Sequence, residues 1–215
     1  MYTTDFWISC LITALIAYVI GSLNFGIIVS RVYAKDDVRK HGSGNAGMTN
    51  MLRTYGKWPA IFTAAGDFLK AVAAIAIARL IFSHGGYSQS AAGYFAGLFV
   101  LLGHLYPVFF RFKGGKGVVT SLGVIMVVNP VVFIILCVIF IPIVFITKIV
   151  SLSSILGAIA YPLLTLAYYW VLNGRPAVFE TACALITGAI VLFVHKSNIK
   201  RLLNGTENRF GQSKK

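Results

Sequence analysis

The chain has 215 residues, 58% of them hydrophobic and only 12% charged, with a formal net charge of +13 and a mean hydropathy of +0.81. A soluble domain carries about 25% charged residues, so this composition excludes an ordinary soluble fold. It indicates an all-α integral membrane protein, read as a single polytopic domain over residues 1–215. The excess positive charge lies between long apolar runs, which fits membrane topology and anionic headgroups and argues against a nucleic-acid partner.

In chain order, the apolar runs predict membrane helices over about residues 6–32, 58–83, 91–110, 152–172 and 177–194. The first lacks a basic segment before Phe6, so it reads as a retained span rather than a cleaved signal. The stretch 118–147 is long for one crossing and is interrupted by Asn129-Pro130. Charge bears on its path. Arg31, Lys35, Arg39, Lys40, Arg53 and Lys57 follow the first run, Arg111, Lys113 and Lys116 follow the third, and Lys196, Lys200, Arg201, Arg209, Lys214 and Lys215 end the chain. The positive-inside rule puts all three groups in the cytoplasm. An even number of crossings then separates Lys116 from His195, so 118–147 crosses twice, turning near Asn129-Pro130, or not at all. Two crossings give seven transmembrane helices, N-terminus outside and C-terminus cytoplasmic. The expected outer loops agree, since 1–5, 84–90 and 173–176 hold no Lys and one Arg, Arg175. The alternative is five crossings with a re-entrant hairpin over 118–147.

Glycine and positive charge coincide in two cytoplasmic segments. The first, Gly42-Ser43-Gly44-Asn45-Ala46-Gly47, is formally G-x-G-x-x-G. It follows a membrane helix rather than a strand, and no Lys-Ser/Thr succeeds its last glycine, so it is neither a dinucleotide fingerprint nor a Walker A loop. It reads as an anion-binding turn followed by a helix from about Met48 that carries Thr49, Asn50 and Arg53. The second, Lys113-Gly114-Gly115-Lys116-Gly117, offers backbone N–H groups, the Lys116 charge and the next helix's dipole. A third segment pairs His195 with Asn198 three residues on, with Lys200 and Arg201 beyond. Histidine suits general-base work near neutral pH.

Within the second span, Asp67 and Lys70 stand three apart and read as an internal ion pair. His104, ahead of Pro107 and the second glycine loop, reads from the residues alone as a structural hydrogen-bonder. Cys10, Cys137 and Cys183 lie alone in apolar runs and read as small buried hydrophobes. The six acidic residues are too dispersed for a two-carboxylate metal cage, no His precedes an Asp by five, and no G-x-S-x-G elbow occurs. No metal and no cofactor is expected.

Together these segments resemble the bacterial acyl-phosphate:glycerol-3-phosphate acyltransferases, the PlsY family. The matching residues are 42–50 with Arg53 and Gly56, Asp67 with Lys70, Gly103-His104 with Pro107, residues 112–118, and His195-x-x-Asn198-Ile199-x-Arg201-Leu202 with Gly205 and Glu207. Departures are small. Ser22-Leu23-Asn24-Phe25-Gly26 replaces Ser-x-Pro-x-Gly, which puts the kink there in doubt, and Met48 and Val119 stand where alanine is common.

The resemblance implies acyl transfer from acyl phosphate to the 1-hydroxyl of sn-glycerol 3-phosphate, giving lysophosphatidate and phosphate, the first acylation of bacterial phospholipid synthesis. It implies a multi-pass protein of the bacterial inner membrane, among membrane lipids, with its site facing the cytoplasm; a monomer is compatible with the sequence, which does not fix the oligomeric state. It assigns Ser43, Arg53 and Lys116 to phosphate and oxyanion charge. His195 and Asn198 orient the acceptor hydroxyl, with His195 either base or orienting group. Gly42, Gly44, Asn45, Gly47, Thr49, Asn50, Asp67, Lys70, His104, Lys113, Gly114, Gly115, Gly117, Lys200 and Arg201 fall to substrate binding, and Glu207 to support of the C-terminal segment through an Arg. A transporter would instead show midplane polar groups and internal repeats, and a lipid-binding scaffold would not need His195 or Asn198.

Overall fold

The computed structural model describes residues 3–174 and 177–209; Arg175, Lys214 and Lys215, counted above for topology, lie outside them. The described residues form ten α-helices and two 3₁₀ turns without a strand. By internal contacts the chain falls into two compact units, residues 1–128 and 129–215.

In the first unit, α1 (Thr4–Gly21) and α2 (Phe25–Ala34) replace the single helix expected over 6–32. No proline breaks them. Asn24 does, by leaving the helical region and accepting the Ile27 N–H at its Oδ1 (3.2 Å), an N-cap that starts a new helix. The short helix α3 (Met48–Tyr55) precedes α4 (Lys57–His84), and α5 (Gln89–Leu105) follows. α1 crosses α5 at backbone contact: a side chain at Gly21 would strike the Val100 backbone, and one at Gly103 would strike Tyr18 and Ser22. Ala17, Ala71, Ala74, Ile75, Ala96 and Val100 form the buried centre between α1, α4 and α5.

Helix α6 (Val118–Val128) completes this unit. It has 11 residues, about 16 Å at ~1.5 Å per residue. Gly123 packs on the Phe68 carbonyl of α4, and farther along Arg79 Nη2 donates to the Val127 carbonyl (2.9 Å). α6 therefore runs in the same direction as α4, and a cation from α4 caps its open C-terminal carbonyls. Arg79 carries no signal in the sequence beyond its charge.

The second unit contains α7 (Pro130–Thr147), α8 (Val150–Asn173), α9 (Val178–Val194) and α10 (Lys196–Leu203). The helix break expected near Asn129-Pro130 is present. Pro130 begins α7, where its missing N–H costs nothing, and Asn129 Oδ1 accepts the Val132 N–H (3.1 Å). α8 and α9 approach closely because Gly188 lies on the Ala158 carbonyl. α9 and α10 meet at His195 with a 61° bend.

Among the described residues, five helices, α1–α2 taken as one, are long and apolar enough to cross a membrane, and six if the bent α9–α10 pair counts as a span. α6 is apolar but falls short of that length.

Candidate active site

The first glycine loop is built around Asn50, which is 2% exposed. Its Oδ1 accepts the Ser43 N–H (3.0 Å), and its Nδ2 donates to the carbonyls of Val38, His41 and Asn45 (3.1, 3.0 and 3.0 Å). Gly42 and Gly44 sit at φ +57° and +70°, the left-handed region that favours glycine. At Gly42 a Cβ would also collide with Asn50 Oδ1. α3 begins at Met48 as expected, but Asn50 and Arg53 diverge: Asn50 points into the loop, whereas Arg53 is exposed, as is Ser43. Asn50 thus shapes the turn while Ser43 and Arg53 face outward.

Asp36 and Asp37 anchor this loop from its start. Asp37 accepts from Arg39 Nε and Nη2 (2.9 and 2.6 Å). Hydrogen bonding from the Arg39 guanidinium holds the Asp37 carboxyl down to about 2. Asp36 is also lowered, by the Asp37 N–H and then by the Tyr55 hydroxyl (2.9 Å), and burial with the neighbouring Asp36 raises Tyr55 to about 12.

Arg39 then reaches across to the second loop. Its Nη1 donates to the carbonyls of Phe110 and Lys113 (both 2.9 Å), and Arg31 lies over the Phe110 ring at 5.2 Å. Between those carbonyls, Arg111 and Phe112 adopt φ +58° and +56° without being glycine. Such strain persists only where neighbours enforce it, and Arg39 grips the chain on both sides. Sequence reading placed Arg39 in a basic loop but did not give it this role.

Asp37 yields a pH prediction. Its folded value of about 2 lies below the ordinary aspartate value of 3.8, so its contribution is complete above about pH 4 and is lost as pH falls toward 2. In acid melting experiments, wild type is expected to lose stability more steeply across that window than Asp37→Asn. Superimposable curves would show that the clamp carries no folding energy.

The second glycine loop departs from its expected chemistry. The Gly114 N–H is bonded to the Leu105 carbonyl (3.0 Å) and the Gly115 N–H to the His104 carbonyl (3.3 Å). These two groups are therefore not the ligand-facing donors expected. Both residues are glycine for close packing: a side chain at Gly114 would strike the His104 carbonyl and Pro107, and one at Gly115 the His104 ring. The turn continues through Lys116, half-buried, and Gly117 at φ +77° into the N-terminus of α6, while Lys113 is exposed.

Beneath these loops, Asp67, Lys70 and His104 are 2%, 5% and 3% exposed. The expected ion pair is present: Lys70 Nζ is 2.7 Å from Asp67 Oδ1. Lys70 also donates to the Leu23 carbonyl (2.9 Å), and Asp67 accepts the Phe25 N–H (3.4 Å). The pair satisfies backbone groups released by the α1–α2 break, which bilayer interior cannot do. His104 Nδ1 lies 2.9 Å from Lys70 Nζ.

In the second unit, His195 is 2% exposed, with Nδ1 2.7 Å from the Val191 carbonyl. A carbonyl only accepts, so Nδ1 carries the proton and Nε2 the lone pair in the neutral ring. Asn198 Nδ2 donates to Glu207 Oε1 (2.9 Å), and Arg201 Nε to Glu207 Oε2 (2.8 Å). Glu207 therefore braces both Asn198 and Arg201, as expected of its Arg pairing; Lys200 is exposed. Among the described residues, no three His, Cys, Asp or Glu side chains gather as a metal site.

A family model described as glycerol-3-phosphate acyltransferase matches residues 11–205. A glycerol-3-phosphate acyltransferase of Clostridioides difficile is 42% identical over 206 residues, covering 96% of this chain and 98% of its own length. One from Neisseria meningitidis is 41% identical over 199 residues, covering 93% and 96%. Among solved structures, that of PlsY, an integral membrane glycerol 3-phosphate acyltransferase in its glycerol 3-phosphate form, is 38% identical with a TM-score of 0.81, covering 94% and 96%. Its lysophosphatidic acid form aligns with a TM-score of 0.78. With a match over nearly the whole chain, this protein belongs to the glycerol-3-phosphate acyltransferase family.

Proposed function

We propose that this protein acylates the 1-hydroxyl of glycerol 3-phosphate from an acyl phosphate, releasing lysophosphatidate and inorganic phosphate. The hydroxyl oxygen attacks the acyl carbonyl, the carbon–oxygen bond to phosphate breaks, and the hydroxyl proton passes to His195 Nε2 or to the departing phosphate. The mixed anhydride is already activated, so positioning and charge stabilisation supply the catalysis. Lys116, Ser43 and Arg53 carry phosphate and oxyanion charge. The N-terminus of α6 adds its dipole, and His195 with Asn198 orients the acceptor. The observation that carries this reading is the His195 tautomer: the Nδ1 bond to Val191 leaves Nε2 as the basic nitrogen.

We further infer seven crossings within one acyltransferase domain of the bacterial inner membrane, N-terminus outside and the active face cytoplasmic. α6 is the short span among them. Its alignment with α4 and its capping by Arg79 support a crossing rather than a re-entrant turn.

The test is acylation of glycerol 3-phosphate by purified protein with palmitoyl phosphate, palmitoyl-CoA or palmitoyl carrier protein as donor. Turnover with palmitoyl phosphate alone is expected, undiminished by EDTA. Turnover only with a thioester would overturn the donor assignment, and loss in EDTA restored by magnesium would overturn the metal-free chemistry.

A further inference from the structure

His104 holds a proton that neither the fold nor the chemistry above uses. An ammonium group donates three hydrogen bonds and accepts none. Around Lys70 Nζ stand three acceptor positions: the Leu23 carbonyl at 2.9 Å, Asp67 Oδ1 at 2.7 Å and His104 Nδ1 at 2.9 Å. Were Nδ1 protonated, it would set an N–H against an N–H at that distance. Asp67 Oδ1, 3.3 Å from Nδ1, already receives Lys70 and the Phe25 N–H. Nδ1 therefore accepts, and the ring proton belongs on Nε2.

Nε2 has no hydrogen-bond partner among the described residues. The His104 residue as a whole is 3% exposed, so what Nε2–H can meet is set by the groups packed around that ring edge. The ring edge bearing Nε2 is where the two glycine loops converge. A Cβ built on Gly115 would collide with Nε2 and would lie 3.3 Å from the Ala46 carbonyl of the first loop. Lys116 is the next residue.

We propose that His104 is a substrate-binding residue whose Nε2–H donates to an anionic phosphate oxygen held at the Gly115-Lys116-Gly117 turn, with Lys70 and Asp67 as positioning residues that fix its tautomer. This rests on the acyl-phosphate reading above. It also gives Gly115 a reason: a side chain there would cover the donor.

The two histidine nitrogens can be separated by substitution. Glutamine places its amide near the Nε2 position, whereas asparagine reaches only to Nδ1. His104→Asn is expected to raise the KM for palmitoyl phosphate and the Ki of inorganic phosphate about tenfold or more, with the KM for glycerol 3-phosphate nearly unchanged. His104→Gln is expected to recover most of that loss. A wild-type Ki for phosphate in His104→Asn, or equal impairment of both variants in both KM values, would overturn the proposal. Where a variant fails to fold, wild type labelled with [15N]histidine gives the answer: the His104 Nε2–H resonance is expected to shift on saturation with inorganic phosphate, and an unmoved resonance sinks the idea. If wild type accepts only thioesters, the donor reading fails by itself, while the phosphate Ki still reports on His104.

Discussion

His195→Ala is expected to lower kcat by about 10²- to 10⁴-fold, the usual contribution of a general base, while the protein still inserts and folds. The side chain closes α9, and its Nδ1 bonds the Val191 carbonyl. That bond orients the ring and sets its tautomer but spans only one helical turn, so its loss is local. Glu207→Gln should act through Asn198 and Arg201 instead, because Glu207 holds both at 2.9 and 2.8 Å. Its effect on kcat should be smaller than that of His195→Ala. Steady-state kinetics with acyl phosphate, with the melting temperature as control, separates the two. Near-normal turnover in a folded His195→Ala protein would remove this residue from the mechanism.

Lys70→Met is expected to cost about 3–5 kcal/mol of stability, the penalty for leaving one member of a buried ion pair alone. For a chain of this size that corresponds to a fall in Tm on the order of 10 °C. Three groups lose their donor at once: Asp67, the Leu23 carbonyl and His104 Nδ1. The double variant Lys70→Met with Asp67→Leu should melt above Lys70→Met alone, since no uncompensated charge remains. Thermal unfolding in detergent measures both. A Lys70→Met protein that melts with wild type would show that the Asp67–Lys70 pair does not hold the α1–α2 break.

Hydropathy made the main spans legible, since an apolar run of about 20 residues is a local property. Spacing alone also gave the Asp67–Lys70 pair, because residues three apart on a helix are neighbours wherever that helix packs. The start of α3 near Met48 and the break at Asn129-Pro130 were readable for the same reason, through glycine and proline. The α1–α2 break was not. Asparagine is compatible with several conformations, and Asn24 becomes a cap only because Asp67 and Lys70 satisfy the backbone groups that the break exposes.

The second glycine loop shows the same division. Its glycines and lysines suggested a backbone cradle for phosphate, yet the Gly114 and Gly115 N–H groups bond the end of α5. Glycine permits close approach to a ligand and to another helix equally, and composition does not distinguish them. Likewise, Arg39 was one basic residue among many until its guanidinium was found on the Phe110 and Lys113 carbonyls.

The sequence by itself determined a membrane-embedded helical protein, the segments that carry its polar chemistry and the family to which they belong. Those depend on residue type and order along the chain. Only the tertiary structure decided that Asn50 staples the first loop, that Glu207 braces Asn198, and that Lys70 sets the proton on His104. Each of these turns on which donor meets which acceptor after helices pack, and that pairing is a property of distances through space rather than along the chain.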